Sequence, residues 1–171
     1  MCDEQGMTVL ALAQSIQDSD IGTFLRESPF AYPLIEGLHL LGLAASFGLV
    51  FFIDLRLAGL LLRDVPVSRL HAALRPWVFA GFCLIFATGV ALFLAEAAML
   101  VVNTWFIVKL VLMALALANA LAFELAWKRH GLAWIDQTEV PAVARRAGWA
   151  SLGLWLGVCI AGRLIPYYIA R

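Results

Sequence analysis

Leu34–Ile53 reads LIEGLHLLGLAASFGLVFFI, an apolar run in which only Glu36 and His39 are ionisable. At about 1.5 Å per residue, a helix of about 20 such residues crosses the hydrocarbon core of a bilayer. Three further stretches have the same character: Trp77–Ala95, Trp105–Phe123 and Ala147–Ile165. Each carries an ionisable residue in it or at its edge: Glu96 after the second, Lys109 in the third and Arg163 in the fourth. If the spans alternate in direction, Glu36, His39, Glu96, Lys109 and Arg163 all fall on one side of the membrane. Charge within hydrocarbon is costly, so a cluster at one depth marks a candidate functional site.

Composition agrees with four spans. The chain has 171 residues, 63% hydrophobic and 14% charged, too apolar for a soluble domain of this length. The expected fold is all-α, a polytopic membrane four-helix bundle over residues 34–171. Twelve basic and twelve acidic residues balance, so nothing suggests a nucleic-acid partner. Cys2, Cys83 and Cys159 form no C-x-x-C and no C-x-x-C-H, which excludes a zinc ribbon, a thioredoxin motif and a covalent c-type haem site. The N-terminus does not read as a signal peptide, because its first basic residue is Arg26 and the apolar run Val9–Ala13 is short.

Residues 1–33 are expected to form a periplasmic, interfacial amphipathic segment. Thr8–Gln17 and Ile21–Arg26 each suit a short helix, the second capped by Asp18, Ser19 or Asp20. Ser28-Pro29 and Tyr32-Pro33 turn the chain into the first span, which is expected to run on to about Leu62 before Arg63, Asp64 and Val65-Pro66 break it. Pro66 suits a helix start, and Pro76-Trp77 leads into the second span through a kink. Gly131 and Pro141 punctuate the last connection. Arg56, Arg63, Arg69 and Arg75, with Lys128, Arg129, Arg145 and Arg146, mark one side as cytoplasmic, against Arg26 and Arg171 opposite. That asymmetry predicts a bacterial inner-membrane protein with both termini periplasmic and the ionisable cluster in the outer third of the bilayer.

Glu36 and His39 share one helix face, three residues apart. By helical rise His39 lies roughly 8 Å deep, Lys109 roughly 6 Å and Met113 about 12 Å. The plainest account is ion pairing of Glu36 or Glu96 with Lys109 or Arg163, or snorkelling of the cations. Three chemistries also fit. One is non-covalent haem b with His39 as axial ligand, Met113 as second ligand, and Lys109 and Arg163 on the propionates. Another is a metal site of Glu36, His39 and Glu96, which Lys109 and Arg163 oppose. The last is a proton or anion path. Toward the inner side lie Asp54, Arg56, Asn119 and Glu124; Asp54 and Arg56 are expected to anchor the helix end by pairing with neighbours. His71 and His130 read as solvated loop residues.

Leu38-His39, Phe47-Gly48-Leu49, Asp54-Leu55-Arg56-Leu57, Arg69-Leu70, Pro76, Thr88-Gly89, and Trp105 with Lys109-Leu110 carry a resemblance. The pattern is most similar to small uncharacterised bacterial four-helix membrane proteins, a domain family of unknown function. More distantly it resembles membrane protoporphyrinogen oxidases and the copper-resistance D-type proteins. The oxidase likeness implies an important first-span histidine, an important lysine after a third-span tryptophan, and associated haem b; His39 and Lys109 match by position. The chain departs from the oxidases in reading Glu139-Val140-Pro141 before the last span and Arg163-Leu164-Ile165-Pro166 at its end. The resulting expectation is a haem b-associated redox protein, with the lipid bilayer and a redox partner, a larger membrane complex or a homo-oligomer as its surroundings. The rival expectation is a non-enzymatic subunit or small transporter whose ion pairs are structural.

Overall fold

The apolar runs become long helices because lipid leaves no other way to satisfy the backbone of a single-chain segment with no sheet partner. The computed structural model describes residues 2–130 and 139–168, with side chains for residues 7–126 and 139–168. The helices are α1 (Cys2–Gln17), α2 (Asp20–Glu27), α3 (Ala31–Leu57), α4 (Val67–Val101), α5 (Thr104–His130) and α6 (Ala142–Leu164), followed by a 3-10 turn, Ile165–Tyr168. Four of them, α3 to α6, are long and apolar enough to cross a membrane. Their apolar windows face mostly outward: only 6% of that of α5 is buried inside the protein. An outward surface of this kind is suited to lipid contact. Gly131, the side chains of Lys128, Arg129 and His130, and Arg171 lie outside the described residues.

The ends of the helices differ from the sequence expectation in two places, each for a local reason. The first span stops at Leu57 and does not reach Leu62. Gly59 takes φ +76°, the Gly59 N–H donates to the Arg56 carbonyl at 3.1 Å, and the Leu60 N–H donates to the Leu55 carbonyl at 2.9 Å. This pair of bonds is a Schellman motif, which a glycine adopts without the Cβ penalty. In the second span Pro76 lies inside α4, and the described break is at Glu96 (φ −129°, ψ 20°). There the Ala98 N–H donates to the Gln17 side-chain oxygen at 3.0 Å, a side chain inserted into the helix ladder. Pro66 precedes Val67 at the start of α4, as the sequence suggests.

Helices α1 and α2 both pack on α4. Ser19 caps α2 by accepting from the Gly22 N–H at 3.2 Å. Gly22 is required at this junction, because a Cβ there would collide with the Gln17 carbonyl oxygen and lie 2.9 Å from that of Leu94. The residue allows the α1–α2 corner to rest on the α4 backbone.

In the bundle, α3 lies along α4, α5 along α6, and α3 against α6, while α4 and α5 scarcely touch. Small residues allow the close crossings: a Cβ on Gly81 would collide with Ser46, and one on Gly148 would lie 3.0 Å from the Asp54 carbonyl oxygen. The central core gathers Phe47, Ala116, Trp155 and Val158, with Phe47 and Trp155 edge to face at 5.1 Å. Around the bundle the order is therefore α4, α3, α6, α5, and the circle stays open between α4 and α5.

Candidate functional site

The opening between α4 and α5 is a cleft of about 1620 Å³, and its lining is mainly apolar. Pockets for drug-sized ligands run about 300–1,000 Å³, so this one admits something larger or a chain of lipid. Every residue of the outer cluster expected from sequence lines it: Glu36, His39, Glu96, Lys109 and Arg163, together with Met113. A common depth in four separate helices thus becomes a common cavity. Tyr32 is a further lining residue. Its value to sequence reading was masked by its position beside Pro33, where it reads as an interfacial aromatic.

The cluster is divided among the helices. Glu36 and His39 come from α3 and Glu96 from α4; Lys109 and Met113 come from α5 and Arg163 from α6. Within the cluster the carboxylates come from α3 and α4 and the cations from α5 and α6. Among the described residues no ion pair within 4 Å joins them, contrary to the sequence expectation. The two signs sit on different helices around the cleft. The Arg163 guanidinium instead donates to the Tyr167 hydroxyl at 3.0 Å and lies 5.1 Å from the centre of its ring. The Lys109 stem runs over Gly162, where a Cβ would meet its carbons at 3.7 Å. The described residues hold no group of three His, Cys, Asp or Glu side chains suited to a metal ion. The Glu36, His39 and Glu96 metal site therefore has no geometric support.

His39 is held from α4. Its Nδ1 lies 2.8 Å from the Thr88 hydroxyl, and that hydroxyl reaches the Leu84 carbonyl at 2.7 Å and the Ile85 carbonyl at 3.2 Å. The Ile85 carbonyl is also within hydrogen-bonding reach of the ring. Carbonyls only accept, and the hydroxyl has one proton, which the Leu84 carbonyl takes. The network therefore assigns the proton of the neutral ring to Nδ1, leaving Nε2 with a free lone pair. Gly89 makes room for this: a Cβ there would stand 3.3 Å from His39 Cε1. Thr88-Gly89 is thus the seat of His39. Sequence reading noted the pair only within a family pattern, because nothing one-dimensional links residues 39 and 88.

The inner polar set is partly joined. Asp54, Asn119 and Glu124 line a second, smaller pocket with His71 and Ser151. His71 is not a loop residue: it lies on α4, its Nε2 3.7 Å from Glu124, and Arg75 approaches the same carboxylate at 3.3 Å. Arg56 is 1% exposed and donates to the Val65 carbonyl at 2.6 Å, whereas Asp54, expected to pair with a neighbour as well, enters no ion pair among the described residues and has one oxygen without a hydrogen-bond partner. Asn119 donates to the Ala147 carbonyl at 3.1 Å and ties α5 to α6.

Four apolar helices around a lateral cleft, with polar groups gathered at one end, define a multi-span α-helical membrane protein. The chain belongs to DUF6644, a family of unknown function, whose model matches residues 30–168. No curated protein and no solved structure matches it.

Proposed function

We propose that the protein is a haem b-binding redox protein of the bacterial inner membrane, with both termini periplasmic and His39 as the residue that holds the haem. The observation that carries this reading is the His39 ring in its cleft. Nδ1 is engaged by Thr88, Nε2 is left with a lone pair, and the ring lines an apolar cavity of about 1620 Å³. A histidine fixed through one ring nitrogen is the usual form of an imidazole ligand, since the partner sets both tautomer and orientation. The donor set fits the group: an apolar slot for a macrocycle, a neutral imidazole and a thioether from different helices, and two cations for carboxylates.

In this reading His39, with Met113 as a candidate second ligand, would hold the iron, Lys109 and Arg163 would pair with the propionates, and Thr88 would keep the His39 ring in its tautomer. Haem bound there would supply one-electron transfer. The apolar walls exclude water, and the lateral opening between α4 and α5 gives access from the lipid to a redox partner or a larger membrane complex. The likeness of His39, Trp105 and Lys109 to the membrane protoporphyrinogen oxidases supports the same chemistry, and the basic residues flanking α3–α4 and α5–α6 support the orientation. The rival account, a bundle held together by ion pairs at this layer, needs pairs across the cleft, and the described residues have none.

The test is the visible spectrum of protein purified from haem-replete cells. The wild type should show a Soret band, His39→Ala should lose it while still inserting in the membrane, and His71→Ala should keep it. A colourless wild type overturns the proposal.

A further inference from the structure

Phe82 and Trp155, with ring centres 5.3 Å apart, line the large cleft and also a second cavity of about 360 Å³ nearer the basic end of the bundle. That inner cavity is walled by apolar side chains such as Val50, Ile53 and Leu121. Asp54, from the last turns of α3, is the exception that matters. It is 6% exposed, and its Oδ2 has no hydrogen-bond partner. Ser151 on α6 offers its hydroxyl to the carboxyl.

The charged and titratable groups around it are occupied elsewhere. On α3, Arg56 gives its Nε to the Val65 carbonyl. On α4, His71 and Arg75 both approach Glu124 of α5. From α6, Arg145 lies toward Gly59, its Nε 3.9 Å from where a Cβ would stand. None of the ion pairs of the described residues includes Asp54.

An ionised carboxylate has about four lone-pair sites, and burying its charge without compensation costs several kcal/mol. A cation must therefore accompany the charge. Hard metal ions need about six or more oxygen ligands; the side-chain oxygens on this cavity come only from Asp54, Asn119, Glu124 and Ser151 among the described residues, and both oxygens of Glu124 already face His71 and Arg75. The described residues also lack any group of three side chains suited to a metal. A proton is the cation that one carboxyl oxygen can hold.

We propose that the inner cavity is a proton-binding site in which Asp54 takes up and returns one proton, exchanging with the His71 and Glu124 pair on the same cavity. In uptake the O–H bond forms on the Asp54 carboxyl as the proton leaves the imidazolium of His71 or the carboxyl of Glu124; nothing is oxidised or reduced. The cavity has room for several waters, at about 30 Å³ each, to carry the proton between them. The site stands apart from the haem reading, since Asp54, His71 and Glu124 do not line the large cleft.

Infrared difference spectroscopy of the full chain in lipid nanodiscs, between low and high pH, tests the proposal. A protonated-carboxyl C=O band should titrate in the wild type and vanish in Asp54→Asn. In Ser151→Ala it should move in frequency, having lost its hydrogen bond, and in His71→Ala its titration midpoint should move. If Asp54→Asn fails to fold, the frequency shift in Ser151→Ala assigns the band by itself. A wild type without a titrating band overturns the proposal, as does a band that Ser151→Ala leaves in place or one that sodium, potassium or calcium ions remove. Presence or absence of a Soret band does not enter the readout.

Discussion

Gly148→Ala is the sharpest probe of how α6 meets α3. A Cβ at position 148 would lie 2.9 Å from Leu57 Cβ, 3.0 Å from the Asp54 carbonyl oxygen and 3.2 Å from the Ala58 nitrogen. Ordinary contacts stand at about 3.5–4.0 Å, so the helices must part by roughly 0.5–1 Å, which forfeits a quarter to a half of each contact they make there. Two of the three atoms belong to the backbone at the end of α3, where the Ala58 N–H donates to the Asp54 carbonyl at 2.7 Å and holds both, so no side chain can swing away. Overpacking of this kind costs about 1–3 kcal/mol. Replacing glycine also gains about 1 kcal/mol of helix propensity. Gly153→Ala, on the same helix with nothing within 4 Å of its Cβ, makes the same gain and cancels it in the comparison. The expected difference between the two variants is therefore about 1–3 kcal/mol, or about 2–12 °C in melting temperature for a chain of this size. Thermal melts followed by circular dichroism in one detergent measure it directly. Equal melting temperatures for the two alanine variants would refute the close α3–α6 crossing.

Thr88→Val keeps the shape of the side chain and removes the hydroxyl that seats His39 Nδ1, leaving only the Ile85 carbonyl within reach of the ring; under the haem proposal the Soret absorbance retained on purification should fall. Gly22→Ala should lift the α1–α2 corner off α4, and limited proteolysis should then cut the N-terminal 27 residues faster than in the wild type, while an unchanged cleavage rate counts against the docking. Reporter fusions after Val101 and after the C-terminal residue should both report the periplasm; a cytoplasmic signal from either reverses the orientation and moves the His39 layer to the inner side.

Much of the fold is legible in one dimension because hydropathy and length are one-dimensional. Leu34–Ile53 and its three counterparts mark four helices, Pro66 marks the start of α4, and Ser19 is among the residues that suit a cap. The common layer of Glu36, His39, Glu96, Lys109 and Arg163 also follows from counting residues along alternating spans. The end of α3 has a one-dimensional signal as well, Gly59, which takes the left-handed conformation that closes the helix. The break at Glu96 has none, because it depends on Gln17 from a helix some eighty residues earlier in the chain.

The sequence alone located the four long apolar helices of the described residues and the ionisable groups that line one cleft. Tertiary structure alone decided which faces meet. A helix in lipid can be apolar all round, so its sequence does not mark the face that will be buried, and association rests instead on close fit at small residues such as Gly81 and Gly148. That fit joins α3 to α4 and α5 to α6 yet leaves α4 and α5 apart. From it follow the cleft, the placing of carboxylates and cations on different helices around it, the seating of His39 on Thr88, and the unpartnered oxygen of Asp54.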